Sequence, residues 1–335
     1  MGIFKLKKRL GVIGLTLLMI LLTACSGSSK SSSEEKKNEE ETYILSGVTA
    51  LPNNDLLSQA FFVFAEKIEK NSNGRIKFEY KGGPETIPSA ELGEAVGSGV
   101  VDIGVTPAAY YASAVPEGLA LSYSELTTEE ELKNGAIDHL NKIHNQKLNV
   151  QLLGRGAEVG FGLYTKEKVQ SLEDFKGLRM RGTPTYAPMY KALGAELISM
   201  PGGDIFESLD KGVIDGFGWT AVGISDLGVQ DTAKYKMAPN FYRMDVVTIV
   251  NLDKWNSLPE DIQKIIMDTQ REVEKEMVNV TQEFIDKEEP KLKEAGVQTV
   301  DLGEEFLKVA YGAGWKFIEE KIPDQSKELS ELFRK

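Results

Sequence analysis

The segment Lys176–Pro184 has the sequence Lys-Gly-Leu-Arg-Met-Arg-Gly-Thr-Pro. Apolar residues alternate with arginines at its centre, and alternation over so few residues predicts a short, half-buried strand. Because Leu178 and Met180 share one face, the two arginines project from the other. The glycine, threonine and proline that follow end the strand. Arg181 therefore stands at the C-terminal edge of the strand, where open α/β sheets bind ligands.

A guanidinium at such an edge is suited to a carboxylate, because it grips both oxygens through two parallel hydrogen bonds. Arginines are mostly exposed, so the alternative is that Arg179 and Arg181 are both solvated or paired with acids on the surface. The rest of the chain decides between these two interpretations.

The N-terminal residues 1–24 are typical of a secretory signal, with four basic residues, an apolar run and a small-residue end. The sequence Leu-Thr-Ala-Cys at its end resembles the bacterial lipobox, in which the cysteine is lipidated and becomes the new N-terminus. Cys25 is the only cysteine in the chain, so an internal disulfide is excluded. An ordinary signal peptide followed by an incidental cysteine is the alternative.

Residues 25–41 form a polar stretch without apolar residues after Cys25, which predicts a flexible tether to a membrane. Removal of the four basic residues of the signal changes the net charge from −12 to −16. A chain this acidic is not expected to bind nucleic acid or to lie flat on an anionic bilayer.

The remaining chain, from about residue 42, is long for one core and predicts two lobes. Strands and helices alternate from Tyr43 to Val105, which predicts an α/β fold with parallel pairing and crossover helices. A helix that starts at Pro259 and runs to Pro290 outruns one lobe and is expected to brace both. We predict one lobe from residues 42–159 plus 246–285 and the other from residues 160–245 plus 286–335, with a ligand cleft between them.

No cofactor is predicted. His139 and His144 lie five residues apart on one predicted helix, whereas metal ligands on a helix face prefer a spacing of three or four. The glycine-rich stretch 154–160 resembles a dinucleotide fingerprint, but the residues after it are strand-like and do not open a helix. We interpret it as a crossing between the lobes.

Aromatic residues near the predicted strand ends are candidates for the walls of a pocket, although core packing is as good an explanation. Two of them flank glycines where an apolar strand beginning at Val213 is predicted to enter a turn. The candidates are Tyr110, from the pair Tyr110-Tyr111, together with Phe161, Tyr186, Phe217 and Trp219.

Five short motifs, in order and with matching spacing over nearly all of the mature chain, resemble those of the solute-binding proteins of tripartite ATP-independent periplasmic (TRAP) transporters. Each motif is weak alone, but five in sequence are specific. They lie at Gly74–Gly83, Ser98–Gly104, Leu172–Arg181, Leu193–Ala195 and Gly212–Gly216.

The resemblance implies a two-lobed periplasmic-binding-protein-like fold that closes on a ligand and delivers it to a membrane permease driven by an ion gradient. It also implies that Arg181 matches the arginine with which the family grips a carboxylate. The expected location is the outer face of a bacterial membrane, with the lipid on Cys25 as the anchor.

Two departures from the family pattern narrow the ligand. Gly162 stands where the family often has a further arginine, so a second acidic group is not expected unless Arg155 replaces that charge. Phe217-Gly218-Trp219 stands where metal-using members have a glutamate, so a metal-bridged ligand is not expected. Gly162 also makes room for a bulkier body, and we therefore predict a monocarboxylate with an apolar or aromatic body.

Other classes of function stay open at this point. An extracytoplasmic enzyme is disfavoured because the chain has no Gly-x-Ser-x-Gly elbow, no His-Glu-x-x-His and no cysteine after Cys25, although paired carboxylates of a hydrolase are not excluded. A receptor for a sensor kinase or an ATP-driven importer would differ in its partner and share the pocket. Adhesion is suggested only by the tether.

Overall fold

Two β-sheets organise the chain. The computed structural model describes residues 41–335, and the predicted signal, tether and Cys25 lie almost wholly outside this range. The strands are β1 (Tyr43–Thr49), β2 (Ile76–Gly82), β3 (Ile103–Pro107), β4 (Val150–Arg155), β5 (Phe161–Thr165), β6 (Arg179–Gly182), β7 (Glu196–Ser199), β8 (Gly216–Thr220), β9 (Tyr235–Ala238), β10 (Val246–Asn251) and β11 (Gln298–Asp301).

Helices connect these strands and cover the sheets. The α-helices are α1 (Gln59–Asn71), α2 (Leu92–Gly97), α3 (Thr128–Lys133), α4 (Ala136–Leu148), α5 (Ala187–Leu193), α6 (Ile205–Asp210), α7 (Leu252–Ser257), α8 (Glu260–Glu294), α9 (Gly303–Lys321) and α10 (Pro323–Phe333).

The first sheet has the strand order β2-β1-β3-β10-β4. Strand β1 pairs in parallel with β2 and β3, which confirms the pairing expected from the alternation of strands and helices. Strand β10 runs antiparallel between β3 and β4. All six residues of β10 are buried, which is the burial expected of a central strand covered on both faces.

The second sheet has the order β11-β9-β5-β8-β6-β7. The predicted strand with the two arginines is β6, and it pairs in parallel with β7 on one side and β8 on the other. Met180 is fully buried on one face. Pairing on both sides fixes the direction of the strand, and Arg181 lies one residue before its C-terminal end.

The glycines at positions 216 and 218 lie inside strand β8, which corrects the prediction of a strand before them and a turn at them. A Cβ on Gly216 would lie 2.5 Å from the carbonyl oxygen of Tyr164, and one on Gly218 would lie 2.2 Å from the Tyr186 ring. Glycine is therefore required for close approach within the sheet and does not mark a turn here.

Two segments and one helix connect the halves. Residues 156–160 lead from the first sheet to the second, and residues 239–245 lead back. Helix α8 contacts both halves, because Gln270 donates to the carbonyl of Arg155 and Glu288 accepts from the main-chain N–H groups of Gly223 and Ser225. The long brace expected from the sequence is therefore present.

The helix predicted to end at Pro290 is longer than expected. Helix α8 continues through Pro290 to Glu294, since a proline one turn from the helix end removes a single hydrogen bond near the terminus. The C-terminal helix α10 packs through Leu329 and Phe333, which lie four residues apart on one face and are fully buried.

An ion network lies at the first crossing and includes Arg155, which is 1% exposed. Its guanidinium forms two hydrogen bonds with the buried Glu131, at 2.6 and 2.7 Å, and donates to the carbonyls of Leu121 and Met244. Arg243 contacts the same Glu131 carboxylate at 2.9 Å. Arg155 is thus committed to the fold, which contradicts its predicted role as the second cation for a ligand.

We expect Arg155→Met to lower the free energy of unfolding by about 3–5 kcal/mol, because removal of one member of a buried ion pair leaves the other charge poorly compensated. Urea denaturation followed by circular dichroism measures this change. The double variant Arg155→Met, Glu131→Leu should recover part of the loss.

Lys133→Gln is the matched control, because its ion pair with Glu129 lies on the exposed surface of α3 and such pairs contribute little. An Arg155→Met protein with the urea midpoint of the wild type would contradict the structural role assigned to the network.

Asp55 precedes the short 3-10 helix Leu56–Ser58 and caps it, with Oδ1 accepting from the N–H of Leu57 at 2.8 Å. Burial raises the pKa of Asp55 to about 6, and the negative charge of Asp226 adds to the rise. The folded state therefore binds the proton more tightly than the unfolded state, and this contribution to stability is lost as the pH rises through about 6.

We expect Asp55→Asn to stabilise the protein relative to wild type by about 1–3 kcal/mol at pH 7 and by much less at pH 4, because asparagine also caps helices but carries no charge. Unfolding free energies of both proteins from pH 4 to pH 7 measure the difference. A difference that does not change with pH would contradict the raised pKa.

Candidate ligand-binding cleft

A cavity lies between residues of the two sheets and has Arg181 in its wall. Its free volume is about 40 Å³, which is enough to hold about three water molecules. In this conformation the cavity therefore admits a small molecule. It is lined by Leu51, Leu57, Pro107, Ala109, Tyr110, Met244 and Asp245 from the half with the first sheet, and by Phe161, Arg181, Thr183, Thr185, Tyr186, Trp219 and Thr220 from the half with the second.

Main-chain carbonyls hold the guanidinium of Arg181 in place. Nε and Nη2 donate to the carbonyl of Met200, at 3.1 and 3.0 Å, and Nη1 donates to the carbonyl of Gly218 at 3.2 Å. Met200 follows β7 and Gly218 lies in β8, the two strands that flank β6. The sheet itself thus aligns the arginine, which is 3% exposed.

The same contacts leave donors free. A guanidinium has five N–H groups, and the carbonyls of Met200 and Gly218 use three of those of Arg181. One N–H on each terminal nitrogen is left, and a carboxylate can accept from two such donors, one with each oxygen. Among residues 41–335, no aspartate or glutamate forms an ion pair with Arg181. A buried charge without a counter-ion is unfavourable, so such a cation favours the binding of an anion.

The neighbouring arginine of β6 has the opposite environment. Arg179 forms two hydrogen bonds with Asp215, at 2.6 and 3.0 Å, and its side chain is 41% exposed. Asp215 also accepts from the main-chain N–H of Arg179. Asp215 belongs to one of the recurring motifs, and its structural role is to neutralise Arg179. The two arginines, equivalent in the sequence, are therefore distinguished by their partners.

Aromatic rings form much of the wall. The Arg181 guanidinium carbon lies 5.2 Å from the centre of the Trp219 ring, within range of a cation–π contact. Phe161 and Tyr186 meet edge to face, with ring centres 5.1 Å apart. Burial raises the pKa of Tyr110 to about 12, and the charge of Arg181 opposes this rise. Tyr110 is therefore a neutral hydroxyl at physiological pH.

Hydroxyl groups supply further polar atoms. The Thr185 Oγ1 atom is buried without a hydrogen-bond partner among residues 41–335. Within the same part of the chain, the hydroxyls of Tyr110 and Tyr186 take part in no hydrogen bond, whereas that of Tyr190 donates to the carbonyl of Arg181. Buried polar groups in proteins are normally hydrogen-bonded, so unsatisfied ones inside a cavity are available to bind a ligand.

The structure brings five of the seven predicted binding residues to this cavity: Tyr110, Phe161, Arg181, Tyr186 and Trp219. Arg155 is absent from the lining because the ion network holds it. Phe217 is also absent, which contradicts its predicted role, since its ring is fully buried and stacks on Tyr164 in the core of the second sheet.

Gly162 does not enlarge the cavity as predicted. A Cβ at this position would lie 3.0 Å from the Tyr164 hydroxyl, so the space beside Gly162 belongs to Tyr164. That hydroxyl donates to the carbonyl of Thr220. Gly162 therefore supplies no second cation to the cavity and does not enlarge it.

Sequence reasoning missed the polar residues Thr185 and Asp245. Asp245 directly precedes the apolar run of β10. A charged residue at the start of a buried strand is a signal for a site residue that was available in the sequence. Thr185 follows Pro184 just after β6, and only the fold brings it beside Arg181. The apolar contacts, such as Leu51 and Met244, carry no signal of their own.

The lining groups are suited to reversible binding. Arg181, Asp245 and the hydroxyls offer polar groups that can orient a ligand, and the aromatic and aliphatic side chains offer apolar surface that can bury its body. Among residues 41–335, no group of three or more histidine, cysteine, aspartate or glutamate side chains has the arrangement of a metal site. Within that range, no helix combines the length and the apolar character needed to cross a membrane.

Comparison with known proteins agrees with this geometry. Residues 47–320 match the family described as bacterial extracellular solute-binding protein, family 7, or DctP. A monocarboxylate 2-oxoacid-binding periplasmic protein of Nostoc sp. is 29% identical over 276 residues, which are 76% of this chain and 73% of that protein.

Solved structures share the fold. A TRAP periplasmic solute-binding protein from Desulfovibrio salexigens, with bound orotic acid, has a TM-score of 0.77 at 20% identity and covers 87% of this chain and 97% of its own. One from Rhodoferax ferrireducens, with bound malonate, has a TM-score of 0.75 at 20% identity and covers 86% and 96%. The predicted two-lobed α/β fold is confirmed. The family match over residues 47–320, most of the chain, shows that this protein belongs to the DctP family, the bacterial extracellular solute-binding proteins of family 7.

Proposed function

We propose that this protein captures a small monocarboxylate in the cleft, pairs its carboxylate with Arg181 and delivers it to a TRAP membrane permease. One observation carries the proposal: Arg181 is buried, has no acidic partner among residues 41–335, and keeps one N–H free on each terminal nitrogen. This arrangement complements a single carboxylate.

The charges around the cavity favour one carboxylate over two. Arg155 and Arg243 are both engaged by Glu131, and Gly162 supplies no cation. Asp245 adds a carboxyl group and no cation to the lining, so it offers no charge partner to a second carboxylate. The name of the Nostoc relative, a monocarboxylate 2-oxoacid-binding protein, supports a single carboxylate on the ligand. The 2-oxo group is not carried over from that relative.

Energetics explain why the ligand has to be enclosed. A charge-assisted hydrogen bond contributes about 1.5–3 kcal/mol, whereas micromolar affinity requires about 8 kcal/mol. The rest has to come from burial of the ligand body against apolar residues such as Leu57, Phe161 and Met244, which closure of two lobes provides. The small free volume favours a short apolar body over the aromatic one considered from the sequence.

We expect Arg181→Gln to weaken binding of the preferred acid by about 100-fold or more, because two charge-assisted hydrogen bonds are lost. Differential scanning fluorimetry against a panel of mono- and dicarboxylic acids identifies ligands, and isothermal titration calorimetry measures their affinities.

Arg179→Gln is the matched control, since Arg179 lies two residues away in the same strand and pairs with Asp215. It should keep wild-type affinity. Equal loss in both variants, or tight binding of dicarboxylates alone, would contradict the proposed function.

The proposal includes a lipid anchor on Cys25, with residues 25–41 as a tether that lets the folded part reach the permease. The support is the sequence of residues 1–25, which has the basic start, apolar run and terminal cysteine of a lipoprotein signal. A tethered receptor stays near its permease, which raises its local concentration.

We expect Cys25→Ser to move the protein from the membrane fraction to the soluble fraction of a bacterial host, because the thiol that takes the lipid is lost. Fractionation and incorporation of radiolabelled palmitate into the full-length chain measure this change. Unlabelled wild-type protein in the soluble fraction would rule out the anchor.

A further inference from the structure

Asp245 is a buried acid in the wall of the cavity, and the binding of a carboxylate by Arg181 does not use it. It directly precedes β10 of the first sheet and is 1% exposed. Arg181 comes from β6 of the second sheet. The cavity is thus lined by one arginine and one aspartate from opposite halves of the molecule. Both act on Tyr110, whose pKa is lowered by Arg181 and raised by Asp245 and by Asp55.

The carboxylate of Asp245 is held in place but retains capacity to accept hydrogen bonds. Its Oδ2 accepts from the main-chain N–H of Ala109 at 2.8 Å. Burial raises the pKa of Asp245, while the N–H of Ala109, the nearby Ser122 hydroxyl and the charge of Arg155 oppose the rise. A carboxylate has about four acceptor positions, so these contacts leave room for a donor from a ligand.

The neighbouring ion network does not neutralise Asp245. Arg155 and Arg243 carry two positive charges, and they already contact the two negative charges of Glu131 and Glu158. With Asp245, the group has three acids and two arginines, and Asp245 is the acid that takes no part in these ion pairs. When a simple carboxylate pairs with Arg181, the remaining acceptor positions of the buried Asp245 gain no donor from the ligand, and this is unfavourable.

We propose that Asp245 determines specificity by requiring a hydrogen-bond donor on the ligand, close to the carboxylate that binds Arg181. The donor is a hydroxyl, an ammonium or a ring N–H, so the preferred ligands are hydroxy acids, amino acids or cyclic amide acids. A keto group offers only acceptors, so its oxygen would face an Asp245 oxygen without a hydrogen bond between them. This inference rests on the proposed function, because it assumes that the carboxylate lies at Arg181.

A purely structural role makes a different prediction. The bond from Ala109 to Asp245 also positions the short 3-10 helix Ala108–Tyr111, and loss of that role would weaken all ligands equally. Asp245→Asn keeps the shape and the acceptor for Ala109 but removes the charge. The measurement that separates the two roles is therefore relative affinity within a matched series of ligands.

Two series suffice, each with the same body and a different group beside the carboxylate. The first is propionate, pyruvate, lactate and alanine, and the second consists of the corresponding 3-phenyl acids. Calorimetry of wild-type protein should show at least one donor-bearing acid binding about tenfold or more tighter than both the unsubstituted and the keto acid. In Asp245→Asn this preference should fall to about threefold or less.

Glu274→Gln is the matched control, because burial raises the pKa of Glu274 to about 7 and Glu274 does not line the cavity. It should keep the wild-type preference. Equal binding of all members, tighter binding of the keto acid, or an unchanged preference in Asp245→Asn would overturn the inference and leave the proposed function intact. Binding of no acid by wild-type protein, or full affinity in Arg181→Gln, would overturn the proposed function and the inference with it.

Discussion

A buried positive charge without an acidic partner in the described part of the chain is the constraint on which the binding site depends. Arg181 is held by two main-chain carbonyls from the strands on either side of its own. Carbonyls orient a guanidinium without neutralising it. The guanidinium is thus already oriented for an anion before one binds. Its ion pair forms with the ligand and not with a carboxylate of the protein.

Several acids in the described part of the chain pair with other arginines and not with this guanidinium. Asp215 engages Arg179 and Glu131 engages Arg155, so the other arginines near the crossings and on β6 are neutralised within the protein. The buried pair at the first crossing also connects main-chain positions before and after it, since Arg155 donates to the carbonyls of Leu121 and Met244. Arg155, at the start of the first crossing, thereby contacts Met244 in the second crossing.

The strand of Arg181 was predictable because alternation of apolar and charged residues is a local property. The motifs extended this to the family and the two-lobed fold. The fate of each arginine was not predictable, since it depends on partners such as Glu131, which lies 24 residues before Arg155 in the chain. Gly216 and Gly218 misled the prediction for the same reason, because the Tyr164 carbonyl and the Tyr186 ring that exclude a side chain there come from distant parts of the sequence. Asp245 and Thr185 join the site only through the tertiary fold.

The most direct measurement is a crystal structure of the protein with a small monocarboxylate that stabilises it against heat. The account predicts both carboxylate oxygens about 3 Å from the terminal nitrogens of Arg181, with the bonds to Met200 and Gly218 retained. A ligand bound elsewhere, or one whose carboxylate does not contact Arg181, would contradict it.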